Sequence, residues 1–165
     1  MTAYNYELMF NLSLVIGHAE HRTDTCGFPD GGKTSTILRA SFVTWLVACE
    51  ESRAQNRTND QNASFVKHVI EALPVCDDPN WEQTNSEGFH ASLKNRMQGL
   101  WGIRIAFTHS DGDVSNILNL NSKTWAQSAH LHVKGVTMRG SVIDMSGADL
   151  HYIHRSFAQL QTVLV

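Results

Sequence analysis

Between Phe89 and Asp113 the side chains Phe89, Leu93, Met97, Leu100, Trp101, Phe107 and Thr108 return at intervals of three and four. At about 100° per residue they form one stripe, so the segment is predicted to be a long amphipathic helix around which the rest of the chain is organised. Arg104 falls in the middle of that stripe, between Leu100, Trp101, Phe107 and Thr108. An unpaired guanidinium facing a core costs several kcal/mol, roughly, so Arg104 has to be paired or has to line an interface or site. His109 follows at the point where Ser110-Asp111-Gly112-Asp113 supplies a polar, glycine-containing terminator. Arg104 and His109 are therefore the residues that need a functional explanation.

The remaining segments read mainly as helices. Tyr4, Leu8, Leu12, Val15, Ile16 and Ala19 predict a first helix from about Ala3 to Ala19. Ile37, Leu38, Ser41, Phe42, Trp45, Leu46 and Cys49 predict the inner face of a second, from about Thr34, which caps it, to Arg57, with the acidic pair Glu50-Glu51 toward its end. Phe65, Val66, Val69, Ile70 and Leu73 suit a short third helix stopped by Pro74. Ser86 caps the central helix, expected from about Glu87 to His109 or Ser110. Val114 to Trp125 is a short helix or an irregular connection. The β-branched residues between Leu131 and Met145, set around Gly135 and Arg139-Gly140-Ser141, predict a small β-hairpin. A last helix runs from about Gly147 to Leu164, with Leu150, Ile153, Phe157, Leu160 and Leu164 inward. The fold class is thus mainly α, a helical bundle with a small C-terminal β-hairpin, and 165 residues suit a single domain spanning 1–165.

Charge and cysteine usage narrow the function classes. A formal net charge of −3 argues against a coat of basic residues for nucleic acid, leaving room for local contact. Cys26, Cys49 and Cys76 form neither a disulfide framework nor a thiolate zinc site, which points to a reducing, cytoplasmic setting. The apolar run Leu8 to Ile16 is too short and too interrupted for a membrane span, so no membrane association is expected.

Two motifs compete with Arg104 and His109. Gly27-Phe-Pro-Asp-Gly-Gly32-Lys33-Thr34 satisfies the phosphate-loop pattern, but the polar residues His21 to Cys26 before it do not make the strand that such a loop needs. An inter-helix loop is the better reading. Of the nine histidines, His130 and His132 would share one face of a strand, and His151 and His154 lie one helical turn apart. Neither pair has a recognisable third ligand, so no metal or other cofactor is expected.

Arg104-Ile-Ala-Phe-Thr-His109, followed by Ser110-Asp111-Gly112-Asp113, resembles the Arg-x4-6-His motif of the HEPN superfamily of helical bundles. The helix bearing Glu50-Glu51 is similar to the one that this family packs against the motif, and the segment Gly135 to Ile143 before the final helix is similar to its tail. The resemblance implies metal-independent cleavage of RNA at a site where two domains meet, with Arg104 and His109 catalytic and Ser110 and Asp111 positioning substrate. Because two side chains five positions apart on a helix point about 140° apart, a homodimer is expected to assemble that site. One departure is Ile105, which stands where the family usually has a polar residue. It keeps open a catalytically silent module that dimerises, or pairs with a nucleotidyltransferase or larger defence protein; an active enzyme would be a toxin or defence effector, with an antitoxin as a possible partner.

Overall fold

Ser92 sets the start of the central helix: its hydroxyl accepts a hydrogen bond from the Asn95 amide at 3.2 Å, a capping contact worth about 1 kcal/mol. In the computed structural model, which describes residues 31–58, 69–71, 73 and 92–163 together with Asn11 and Leu14, helix α1 spans Gly31–Thr58 and the central helix α2 spans Leu93–His109. A short 3-10 turn, Val114–Asn116, leads to α3, Leu120–His132. Strands β1, Thr137–Arg139, and β2, Val142–Asp144, precede α4, Leu150–Val163. Among the described residues the fold is mainly helical, with one small two-stranded antiparallel sheet toward its C-terminal end, as the sequence leads one to expect.

α2 is covered on several sides. Leu93, Arg96, Met97, Gly99, Leu100, Trp101, Gly102, Ile103 and Ala106 are all buried, against α1, α3 and α4. The tightest contact is with α3, where Gly102 meets Ala126 and Gly99 meets Ala129 and Val133. Leaving out Cβ at both positions lets the two antiparallel backbones touch. The helix ends where the amides of Ser110 and Gly112 both donate to the Ala106 carbonyl, at 2.9 and 3.0 Å. Asp111 (φ 49°) and Gly112 (φ 83°) take the left-handed conformation that reverses the chain there.

The hairpin pairs Thr137 with Asp144, Met138 with Ile143 and Arg139 with Val142, turning at Gly140 (φ 63°). It docks on the end of α2 through Ile143 N–H to the Gly112 carbonyl and Val114 N–H to the Ser141 carbonyl, each 2.9 Å. On its other side Thr36 of α1 donates to Asp144 at 3.0 Å and accepts from the Met145 amide at 3.1 Å. Two distant parts of the chain are thus fixed at the C-terminal end of α2.

Several expectations are corrected. α1 begins at Gly31, so Thr34 lies inside its first turn and is not its cap. Its phase also differs: Ile37 and Ser41 face outward, while Ala40, Val43 and Val47 join Phe42 and Leu46 in the core. The central helix starts at Leu93 and not near Glu87. Residues 120–132 form a full helix, so His130 and His132 sit on α3 rather than on a strand, and the hairpin is confined to 137–144. Leu150, Ile153, Phe157 and Leu160 are buried as expected. The predicted first helix, apart from Asn11 and Leu14, most of the third, Ser86 and Leu164 lie outside the described residues; of the third, Val69, Ile70 and Leu73 are buried.

Candidate functional site

Arg104 does not sit in the middle of the buried face. That face is centred on Gly99, Ile103 and Ala106, because glycines and alanine, which carry no weight in an apolar stripe, are what admit α3. Arg104 lies at its edge toward α1, with 22% of its side chain exposed. Its Cζ stands 4.8 Å from the centre of the Trp101 ring, a cation–π contact within one turn of helix. Its Nη2 is 3.6 Å from Glu51 Oε2 on α1, an ion pair too long to be a hydrogen bond.

His109 is exposed in the last turn. On the helical wheel, taking Arg104 as zero, Thr108 stands at about 40°, Ile105 at about 100° and His109 at about 140°. Thr108 is exposed and Ile105 is half-buried, whereas Ile103 and Ala106 on the opposite side are buried. In the last two turns of α2 the accessible arc thus runs from half-buried Phe107 through Arg104, Thr108 and Ile105 to His109, with Phe107 and Ile105 also packed against the core. Ser110 is buried in the terminating turn, its carbonyl accepting from the Asp113 amide at 2.8 Å, while Asp111 is exposed beside it.

Neighbouring acidic residues on α1 are held very differently. Glu50, the first of the acidic pair toward the end of α1, is 5% exposed and accepts hydrogen bonds from Gln161 at 2.6 Å and Arg53 at 2.9 Å. Sequence patterning also misses Arg96, which is fully buried: it donates to Ser156 Oγ at 3.2 Å and Gln159 Oε1 at 2.7 Å and lies over the Tyr152 ring at 5.9 Å. Arg96 stands three residues after Leu93 and four before Leu100, at the edge of the predicted stripe, so its spacing admits burial but does not reveal its partners on α4.

His151 and His154 lie one turn apart on α4, as their spacing predicts, but His130 and His132 do not share a face. His130 and His132, two apart on α3, point about 200° from each other; the former is exposed and the latter half-buried. Burial, then the neighbouring His130, lowers the pKa of His132, and burial, then His151, lowers that of His154. Among the described residues no three His, Cys, Asp or Glu side chains are grouped to hold a metal ion. Gly27 to Asp30 of the phosphate-loop match lie outside the described residues, and Gly31 to Thr34 form the first turn of α1.

No family model, curated protein or solved structure matches this chain. Its functional reading rests on the side chains of α2 and what surrounds them. No helix among the described residues is long and apolar enough to cross a membrane.

Proposed function

We propose that the chain is a metal-independent endoribonuclease of the HEPN type, acting as a cytoplasmic homodimer with Arg104 and His109 as its catalytic pair. The observation that supports this most is that Arg104 and His109 share the accessible arc of the last two turns of α2, with exposed Thr108 and half-buried Ile105 between them. Two copies meeting on that arc across a two-fold axis would set two arginines and two histidines around one cleft, which a single helix cannot do.

The chemistry follows from the side chains. In transesterification the RNA 2′-oxygen attacks its own phosphorus, a P–O bond forms and the bond to the leaving 5′-oxygen breaks. The imidazole of one His109 accepts the 2′-hydroxyl proton, and its counterpart, protonated, delivers one to the leaving oxygen. The guanidinium of Arg104 offers a planar fork of donors to the phosphorane oxygens, where charge accumulates. Asp111, exposed next to His109, would position substrate, and Ser110 would act through the buried turn that orients both. A toxin or defence role, restrained by an antitoxin, suits such an enzyme.

A second reading has its own support. Arg104 is engaged by Glu51 and Trp101, and Ile105 occupies a position where a polar side chain is usual, as suits a silent module that dimerises or pairs with a nucleotidyltransferase. RNA cleavage in EDTA separates the two. The ribonuclease is expected to leave 2′,3′-cyclic phosphate and 5′-hydroxyl ends, and His109→Ala to lower the rate by about 10²–10⁴. Absence of cleavage of structured and unstructured RNA by a folded dimer would leave the silent module standing.

A further inference from the structure

We infer that Glu51 is an internal competitor for an anion seat formed by Arg104 and Trp101, so that a phosphodiester binds by displacing the Glu51 carboxylate from the guanidinium. The Trp101 ring, its centre 4.8 Å from Cζ, covers one side of the Arg104 guanidinium, and the edge bearing Nη2 is turned to Glu51. That edge meets Glu51 at 3.6 Å, near enough to neutralise charge and too far for the bidentate hydrogen bonds that lock an arginine to a carboxylate. Both side chains keep solvent access, 22% for Arg104 and 24% for Glu51.

Glu50 shows what a retained carboxylate looks like in the same helix. It is buried and held by hydrogen bonds from Gln161 and Arg53. Glu51 has the geometry of a placeholder instead: an anion of the right charge, loosely held, over a cation already oriented by an aromatic ring. A phosphodiester carries the same single charge and offers two oxygens to the same donors, and it brings further contacts that a lone carboxylate lacks. The free protein thereby masks its cation from small anions and yields it to a longer polyanion. This inference rests on the ribonuclease reading for the identity of the ligand; the seat itself does not require cleavage.

The test is binding of a short fluorescein-labelled oligothymidylate, which lacks the 2′-hydroxyl and cannot be cut, followed by anisotropy with the full chain. Glu51→Gln is expected to bind roughly two- to fivefold more tightly than the unaltered protein, the range set by exposed ion pairs. Glu51→Ala is expected to do the same, Arg104→Ala to bind more weakly, and Glu51→Gln added to Arg104→Ala to give no gain. On cleavable RNA, Glu51→Gln should lower KM more than it changes kcat. Unchanged or weaker binding by both Glu51 variants, with melting temperatures like that of the unaltered protein, would overturn the inference and make Glu51 a support for Arg104. Failure to cut any RNA would end the ribonuclease reading and leave the binding comparison intact.

Discussion

A Cβ atom on Gly102 would stand 2.6 Å from the Cα of Ala126, so the crossing of α2 and α3 exists in this form because position 102 has no side chain. Alanine is the better helix former by about 1 kcal/mol, but here the obstacle is backbone, which cannot rotate out of the way. Gly102→Ala is expected to lose about 2–4 kcal/mol of stability in urea denaturation, as overpacking at an unyielding contact does. Gly99→Ala, whose Cβ would meet Val133 Cγ2 at 3.1 Å and Ala129 Cα at 3.3 Å, should cost less. A Gly102→Ala protein as stable as the original would show that the crossing is looser than described.

Arg96 joins α2 to α4 through Ser156 and Gln159. Its removal leaves a cavity and takes one hydrogen-bond donor from buried Ser156 and one from half-buried Gln159. Arg96→Ala is expected to destabilise by about 3–5 kcal/mol, and Arg96→Lys to recover little, because an ammonium has no planar fork to reach both oxygens. Full stability in the lysine variant would contradict this assignment.

Asp144 carries an acid-sensitive part of the fold. Burial pushes its pKa up, but hydrogen bonds from Ser146 and Thr36 and the charge of Arg139 outweigh it and hold the carboxyl below its ordinary value. A folded-state pKa below the unfolded value of about 3.9 means the stabilisation is complete above that pH and is lost as pH falls through it toward the folded value. Asp144→Asn should therefore lower the melting temperature near neutrality, with the difference shrinking below about pH 3.9. An equal difference at both ends of that range would mean that charge is not what Asp144 contributes.

His132 and His154 act at milder pH. Burial lowers both pKa values, with help from His130 and His151 respectively, so the unfolded chain takes up protons first on acidification. Stability is expected to fall as pH drops below about 6.5, and the fall to be shallower in a His132→Asn, His154→Asn protein. A double variant with the original slope would place the effect elsewhere.

The proposed dimer makes a demand on Thr108, which is exposed on the arc between Arg104 and His109. Thr108→Arg would bring two added cations together across the two-fold axis. It should yield a folded monomer by light scattering, with cleavage lost, while the melting temperature at low concentration changes by little. A dimer that persists in this variant would move the interface away from the arc.

Sequence alone determined the helical character of this chain, a small hairpin between Leu131 and Met145, the inward Leu150, Ile153, Phe157 and Leu160 of α4, and the position of Arg104 and His109 toward the end of the central helix. Those features are local: periodicity, turn chemistry and a terminator act within a few residues. Tertiary structure decided the rest. It chose which side of α2 is deepest, because Gly99 and Gly102 matter only once Ala126 and Ala129 lie against them, and so it moved Arg104 to the edge of the buried face. It separated Glu50 from Glu51, adjacent in sequence and alike in chemistry, since about 100° of helix turns one inward toward Gln161 of α4 and the other toward Arg104. It buried Arg96, whose partners Tyr152, Ser156 and Gln159 lie on a helix that begins more than fifty residues later, a distance no pattern of spacing spans.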